Sequence, residues 1–284
     1  MDAGPDVHPP RTIARRTKQK GSTKATLPAS ELFVLGLLAG VYIAFGSLFS
    51  TVALAGAQDA VPHGIARVLS GLVFSLGLIL VLVGGAELFT GNTLMVVAWA
   101  KDRARVGDVL RALGLAYVTN FIGSIAIVVL ALWAAVHMAG DGAVGAAALR
   151  TADQKAGLGF GTALASGILA NMLVCLAVWL AYGARSAADK VLVIVPPIAA
   201  FVAIGLEHSV ANMSLIPLGW GVKTFAAAEF WRETGLQPDM FAAITPAGFA
   251  RNLTACTIGN VIGGALVGGA YWFAYLREEG GNGE

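Results

Sequence analysis

The chain has 284 residues, 57% of them hydrophobic and 13% charged, where an ordinary soluble domain carries about 25% charge. A surface so poor in Lys, Arg, Asp and Glu excludes a water-soluble globular protein and leaves an all-α integral membrane protein as the reading. Nineteen basic and 17 acidic residues nearly cancel, to +2, which excludes a nucleic-acid partner and makes the placement of charge more informative than its sum.

Residues 1–30 carry Arg11, Arg15, Arg16, Lys18, Lys20 and Lys24. No short apolar core ending in a small-residue cleavage site follows, so this segment reads as a disordered basic tail rather than a secretory signal. A bilayer core about 30 Å thick takes about 20 apolar residues to cross as a helix. Six runs qualify, at about 32–55, 68–98, 108–135, 159–183, 190–220 and 249–276. The second and fifth are too long for one plain helix and contain interior polar residues, so both are expected to be broken. Residues 31–278 then form one pore domain with halves at about 31–136 and 159–278, and 279–284 form a short C-terminal tail. Cys175 and Cys256 lie inside apolar runs as small buried hydrophobes, and no disulfide, metal or cofactor site is expected.

Thirteen of the 19 Lys and Arg fall in the tail, in loops 99–111 and 184–190, and at Arg277; Arg67, Arg150, Lys155, Lys223, Arg232 and Arg251 fall on the other side. The positive-inside rule puts both termini in the cytoplasm, as in a multi-pass protein of the inner (plasma) membrane. Trp99, Trp179 and Trp272 near the inner ends, and Trp133, Trp220 and Trp231 near the outer ends, would form interfacial belts.

The two overlong spans share a pattern: Gly85-Ala-Glu-Leu-Phe-Thr-Gly-Asn92 and Gly205-Leu-Glu-His-Ser-Val-Ala-Asn212. Spans three and six share Asn120 to Gly123 and Asn260 to Gly263, and spans one and four share Gly36 to Gly40 and Gly167 to Asn171. The order one-two-three is preserved against four-five-six. Three spans per half make the second copy enter from the opposite face, giving an inverted repeat of three plus three. In such transporters the solute site lies near the midplane, where interrupted helices leave backbone groups facing a cavity. Gly259 with Gly263, and Gly264 with Gly268, permit close helix contacts, internal or between subunits.

An ionisable side chain at mid-membrane costs roughly 2.5 to 3.5 kcal/mol and therefore has a partner or a function. Glu87 and Glu207 recur in both halves, which favours a shared structural role at the helix breaks together with Asn92 and Asn212. His208 has no counterpart, because Leu88 occupies the matching position. It can donate to an anion or exchange a proton with it, so it is the foremost functional candidate. Thr90, Asn92, Asn171, Asn212 and Asn260 add neutral donors and acceptors along the path. Apolar Phe74, Leu78, Leu88, Val174 and Phe201 are not separable from lipid-facing or core residues by this reading.

Phe74-Ser-Leu-Gly-Leu-Ile-Leu80, Gly85-Ala-Glu-Leu-Phe-Thr90, Ala152-Asp-Gln-Lys155, Gly167-Ile-Leu-Ala-Asn171, Val174-Cys-Leu-Ala-Val-Trp179, Gly205-Leu-Glu-His-Ser-Val-Ala-Asn-Met213 and Thr257-Ile-Gly-Asn260 resemble the signatures of formate/nitrite transporters over most of residues 32–278. The resemblance implies an aquaporin-like six-helix protomer and a homopentamer with one pore per protomer. It implies an outer constriction of Phe74 and Phe201, an inner one of Leu78, Leu88 and Val174, and between them His208 with polar contacts from Thr90 and Asn171. Lys155, otherwise a solvated loop residue, would attract anions into the outer vestibule. Gly91-Asn92 replaces the Ser-Thr pair of the formate pattern and is closer to the nitrite type, whereas Ala152-Asp-Gln-Lys155 is closer to the formate type.

The expected partners are therefore a small monovalent anion, formate or nitrite foremost, a proton and the lipid bilayer, and the chain is not an enzyme. On the resemblance, Lys155 would concentrate the anion and His208 would protonate or hydrogen-bond it, so that a nearly neutral species passes the constrictions. Two rivals are weaker. A water or glycerol channel lacks any Asn-Pro-Ala repeat here, and an intramembrane serine protease using Ser166 and His208 lacks its motif, which reads Leu164-Ala-Ser-Gly167.

Overall fold

The computed structural model describes residues 7–57, 60–101 and 103–278; the expected tail at 279–284 lies outside them. Every regular element among the described residues is helical: α1 (Pro10–Ala25), α2 (Ala29–Leu54), α3 (His63–Gly84), α4 (Phe89–Asn92), α5 (Val96–Trp99), α6 (Val106–Trp133), α7 (Ala143–Gly157), α8 (Phe160–Gly183), α9 (Ala187–Ile204), α10 (Ser209–Phe225), α11 (Ala228–Thr234) and α12 (Pro246–Tyr275). Six of them, α2, α3, α6, α8, α9 and α12, are long and apolar enough to cross a membrane, so the chain is a multi-pass membrane protein.

Helix α2 packs along α3 and α6, α8 packs along α9 and α12, and the two groups meet where α3 lies against α9. Small residues set these approaches. A Cβ at Gly40 would run into the carbonyl of Asn120, and one at Gly263 into the carbonyl of Ile168. Gly259 and Gly263 therefore face α8, while Gly264 and Gly268 face Thr93 and Val96, which makes these contacts internal to the chain.

Over Pro10–Ala25, within the expected basic tail, the chain is helical, as α1. Pro10 stands at a first-turn position, where its missing N–H costs nothing, and Ile13, Ala14, Thr17, Gly21 and Ala25 form a buried stripe beneath an otherwise charged helix. Ile13 and Ala14 pack with Val97, Trp179 and Leu276. Trp179 is consequently 3% exposed and stacked on Tyr271 at 3.7 Å, so it is a core residue rather than part of an interfacial belt.

The basic segments meet on one face. His8 N–H and Arg16 Nη1 donate to the carbonyls of Gly183 and Tyr182, Ser22 Oγ donates to the Arg103 carbonyl, and Lys101 Nζ to the Arg277 carbonyl. On the opposite side α7, α11 and the end of α10 enclose a second apolar cluster around Leu149, Val222 and Phe230.

Candidate functional site

Helix α3 stops at Gly84, and Gly85 adopts φ +82°, a left-handed conformation that side chains with a Cβ resist. The chain runs through Leu88 in extended form before α4 begins. Helix α9 ends the same way, with Gly205 at φ +86° and an extended His208 before α10. Each interruption frees buried backbone groups that must find partners.

One asparagine satisfies each set. Asn120 Oδ1 accepts from Phe89 N–H at 2.9 Å, while its Nδ2 donates to the carbonyls of Gly36 and Glu87 at 2.7 and 3.0 Å. Asn260 Oδ1 accepts from Ser209 N–H at 2.8 Å, and its Nδ2 donates to the carbonyls of Gly167 and Glu207 at 2.8 and 3.0 Å. The two acidic residues are paired alike. Glu87 accepts from Lys24 Nζ at 2.8 Å and from Asn92 Nδ2 at 2.8 Å. Glu207 accepts from Lys155 Nζ at 2.7 Å, from Asn212 Nδ2 at 2.7 Å and from Asn252 Nδ2 at 2.8 Å. Arg111 and Arg251 complete the correspondence by donating to the carbonyls of Ala25 and Ala156, the last residue of α1 and the last but one of α7.

Lys24 is the residue that sequence reading misses by leaving it in a tail. It precedes Lys155 by 131 residues, the same offset that separates Gly36 from Gly167. Lys155 in turn is largely buried, its side chain 14% exposed and its ammonium paired with Glu207, and it lines the cavity that reaches His208.

His208 is the N-cap of α10: its Nδ1 accepts from Ala211 N–H at 3.0 Å. A nitrogen that accepts from an amide carries no proton. The ring is therefore the neutral tautomer with its proton on Nε2, which donates to Thr90 Oγ1 at 2.8 Å. That bond joins the two interruptions. Asn171 stands behind it, its Nδ2 donating to the carbonyls of Thr90 and Asn260 and to Thr93 Oγ1.

A cavity of about 40 Å³, room for a few waters, reaches His208 between Phe74, Phe201, Lys155 and Arg67. The rings of Phe74 and Phe201 meet edge to face at 5.4 Å, and Phe201 lies 5.8 Å from the His208 ring. Leu54, Arg67 and Thr151 also line an outer cavity of about 360 Å³ that adds His63 and Arg150. Arg67 is the second missed residue. Its Nη2 donates to the Val202 carbonyl at 2.6 Å, at the end of α9, and a lone arginine in the opening turns of an apolar span was the signal. Leu78, Leu88 and Val174 share one buried cluster with Phe74 and Phe201 but do not line the smaller cavity. Ser166 Oγ accepts from Glu207 N–H at 3.0 Å, so its hydroxyl braces the second interruption.

A model of the formate/nitrite transporter family matches residues 11–273. The chain belongs to that family. It is 42% identical over 275 residues to the formate channel FocA of Escherichia coli (strain K12), covering 96% of each chain, and 37% identical over 240 residues to the formate channel FocA of Haemophilus influenzae, covering 84% of each. Among solved structures it resembles a pentameric formate channel with formate bound, with a TM-score of 0.83 and 40% identity over 88% of this chain and 98% of that one. A second, described as an FNT family ion channel, gives a TM-score of 0.78 and 28% identity over 92% and 98%. A formate/nitrite transporter is a transport protein and not an enzyme, which removes the protease reading of Ser166 and His208.

Proposed function

We propose that the chain is a channel for small monovalent anions of weak acids, formate and nitrite foremost, working as a homopentamer with one pore per protomer. The observation that carries this reading is a neutral imidazole, its Nε2–H bonded to Thr90, that lines a cavity flanked by Lys155 and Arg67. The names of the relatives and the formate-bound pentameric neighbour support the same substrate and assembly. The two halves form an aquaporin-like inverted repeat, with spans two and five broken at Glu87 and Glu207; the bond-for-bond correspondence around Asn120 and Asn260 supports it. The basic face is cytoplasmic, with both termini on it, in the inner (plasma) membrane.

Moving a bare carboxylate into low dielectric costs of order 20 kcal/mol in the Born limit, so the anion must be nearly neutralised to pass. Arg67, Arg150 and Lys155 raise its concentration at the outer mouth. The His208 Nε2–H then exchanges Thr90 for the anion. Protonating Nδ1 would set N–H against N–H and forfeit the cap of α10. The ring therefore acts as a hydrogen-bond donor, and the neutralising proton arrives from the outer solution with the anion. Phe74, Phe201, Leu78, Leu88 and Val174 are the apolar constrictions that only the neutral species crosses readily.

Proteoliposomes in which formate and proton uptake are recorded together test this. The two fluxes should rise together as outer pH falls toward a carboxyl pKa of about 4. Formate uptake that ignores pH and moves no proton would overturn the mechanism.

A further inference from the structure

The outer cavity of about 360 Å³ is lined by single faces of two helices. Helix α7 contributes Ala147, Arg150, Thr151 and Gln154, which follow the i, i+3, i+4, i+7 spacing of one helical stripe. Helix α3 contributes His63, Ala66 and Arg67 at the same spacing, so each of the two helices presents one guanidinium to the cavity. Arg67 donates from Nη2 and Nε to the carbonyls of Val202 and Ala203 at 2.6 and 3.4 Å. Both acceptors are neutral and a guanidinium has more N–H donors than these two bonds use, so Arg67 keeps its charge and further donors for a ligand. Leu54, Val61 and Ala147 add apolar surface to the same cavity.

This volume falls within the range of small-molecule sites, about 300 to 1,000 Å³, whereas the cavity at His208 has room for a few waters. The two cavities adjoin through Leu54, Arg67 and Thr151. A ligand that fills the outer one is therefore too large for the inner one and stands across the approach to His208. The lining selects its chemistry. Arginine binds a carboxylate through two parallel hydrogen bonds. Two guanidiniums from separate helices suit two carboxylates on one molecule, and the apolar surface suits a short hydrocarbon linker, which an inorganic oxoanion lacks. Linking the carboxylates also makes the second contact intramolecular, which raises affinity above that of a monocarboxylate.

We propose that the outer cavity binds short dicarboxylates, which are not carried and which hold back the permeating anion by occupying its approach. The binding stands on the cavity itself; the blocking rests on the channel reading given above.

The full-length protein in detergent would be titrated calorimetrically with succinate, with butyrate as a monocarboxylate of equal chain length and inorganic phosphate as the oxoanion control. Succinate should bind at least about tenfold more tightly than either. Arg150→Gln should weaken it about tenfold, through loss of one charge-assisted pair. Gln154→Glu, which sets a carboxylate on the same face of α7, should weaken it by about the same factor and decides the matter should the first variant fail to fold. In proteoliposomes, outside succinate should raise the apparent KM for formate uptake without being taken up itself, and less so in Arg150→Gln. Succinate bound by a parent protein that carries no formate would overturn the channel reading and uphold the site. Formate carried while succinate fails to bind, binds no better than phosphate, or binds both variants as tightly as the parent would overturn the site. Succinate bound with no effect on formate uptake would overturn the blocking role.

Discussion

Thr90 Oγ1 lies 2.8 Å from His208 Nε2, and this bond between residues 118 positions apart connects the segments that follow α3 and α9. Nδ1 of the same ring caps α10, and the proposed mechanism gives the imidazole a second, separable task directed at the permeating species. The hydrogen bonds of Asn120 correspond to those of Asn260 and the ion pair of Lys24 to that of Lys155, whereas His208 has Leu88 at the matching position.

Replacing His208 separates its tasks. His208→Phe removes both the cap and the donor, and formate flux into proteoliposomes should fall at least about tenfold, with roughly 1 kcal/mol lost in stability. His208→Asn keeps an acceptor for Ala211 N–H and a donor for the anion, so it should regain stability and part of the flux. Unchanged flux and pH dependence in the phenylalanine variant would remove the histidine from the mechanism.

Asn260 serves three buried backbone groups at once. Asn260→Leu should cost 3 kcal/mol or more, since each unsatisfied group costs about 1 to 3 kcal/mol, and Asn120→Leu should behave alike. Asn260→Asp still accepts from Ser209 N–H but cannot donate to either carbonyl, and should be intermediate. Midpoints of thermal unfolding for the three variants provide the comparison.

The Lys155–Glu207 pair is buried and hydrogen-bonded. Lys155→Met should therefore destabilise by about 3 to 5 kcal/mol by leaving the carboxylate uncompensated, and adding Glu207→Gln should restore much of that loss. Lys155→Met should also weaken apparent anion affinity at low salt. A double variant no more stable than the single one would show that the pair is not coupled.

Two glycines separate backbone strain from packing. Nothing lies within 4 Å of a Cβ added at Gly85, so Gly85→Ala should cost only the left-handed conformation, about 1 to 2 kcal/mol. At Gly263 the added Cβ meets the Ile168 carbonyl, and α8 and α12 must separate. Gly263→Ala should therefore cost more than Gly85→Ala and lower the yield of folded protein in detergent.

Local pattern by itself determined the six membrane-spanning helices, the related Glu87 and Glu207 motifs and the singular His208, because hydrophobic run length and residue spacing are properties of neighbouring positions. Tertiary structure alone decided the rest. Helix α1 looks like a solvated tail because its buried stripe is of small residues, and only Val97, Trp179 and Leu276 reveal what it covers. Lys155 pairs with a residue 52 positions away and Lys24 with one 63 away, so no local signal identifies either partner. The protonation of His208 was likewise out of reach, since it depends on which ring nitrogen meets the Ala211 amide and which meets Thr90.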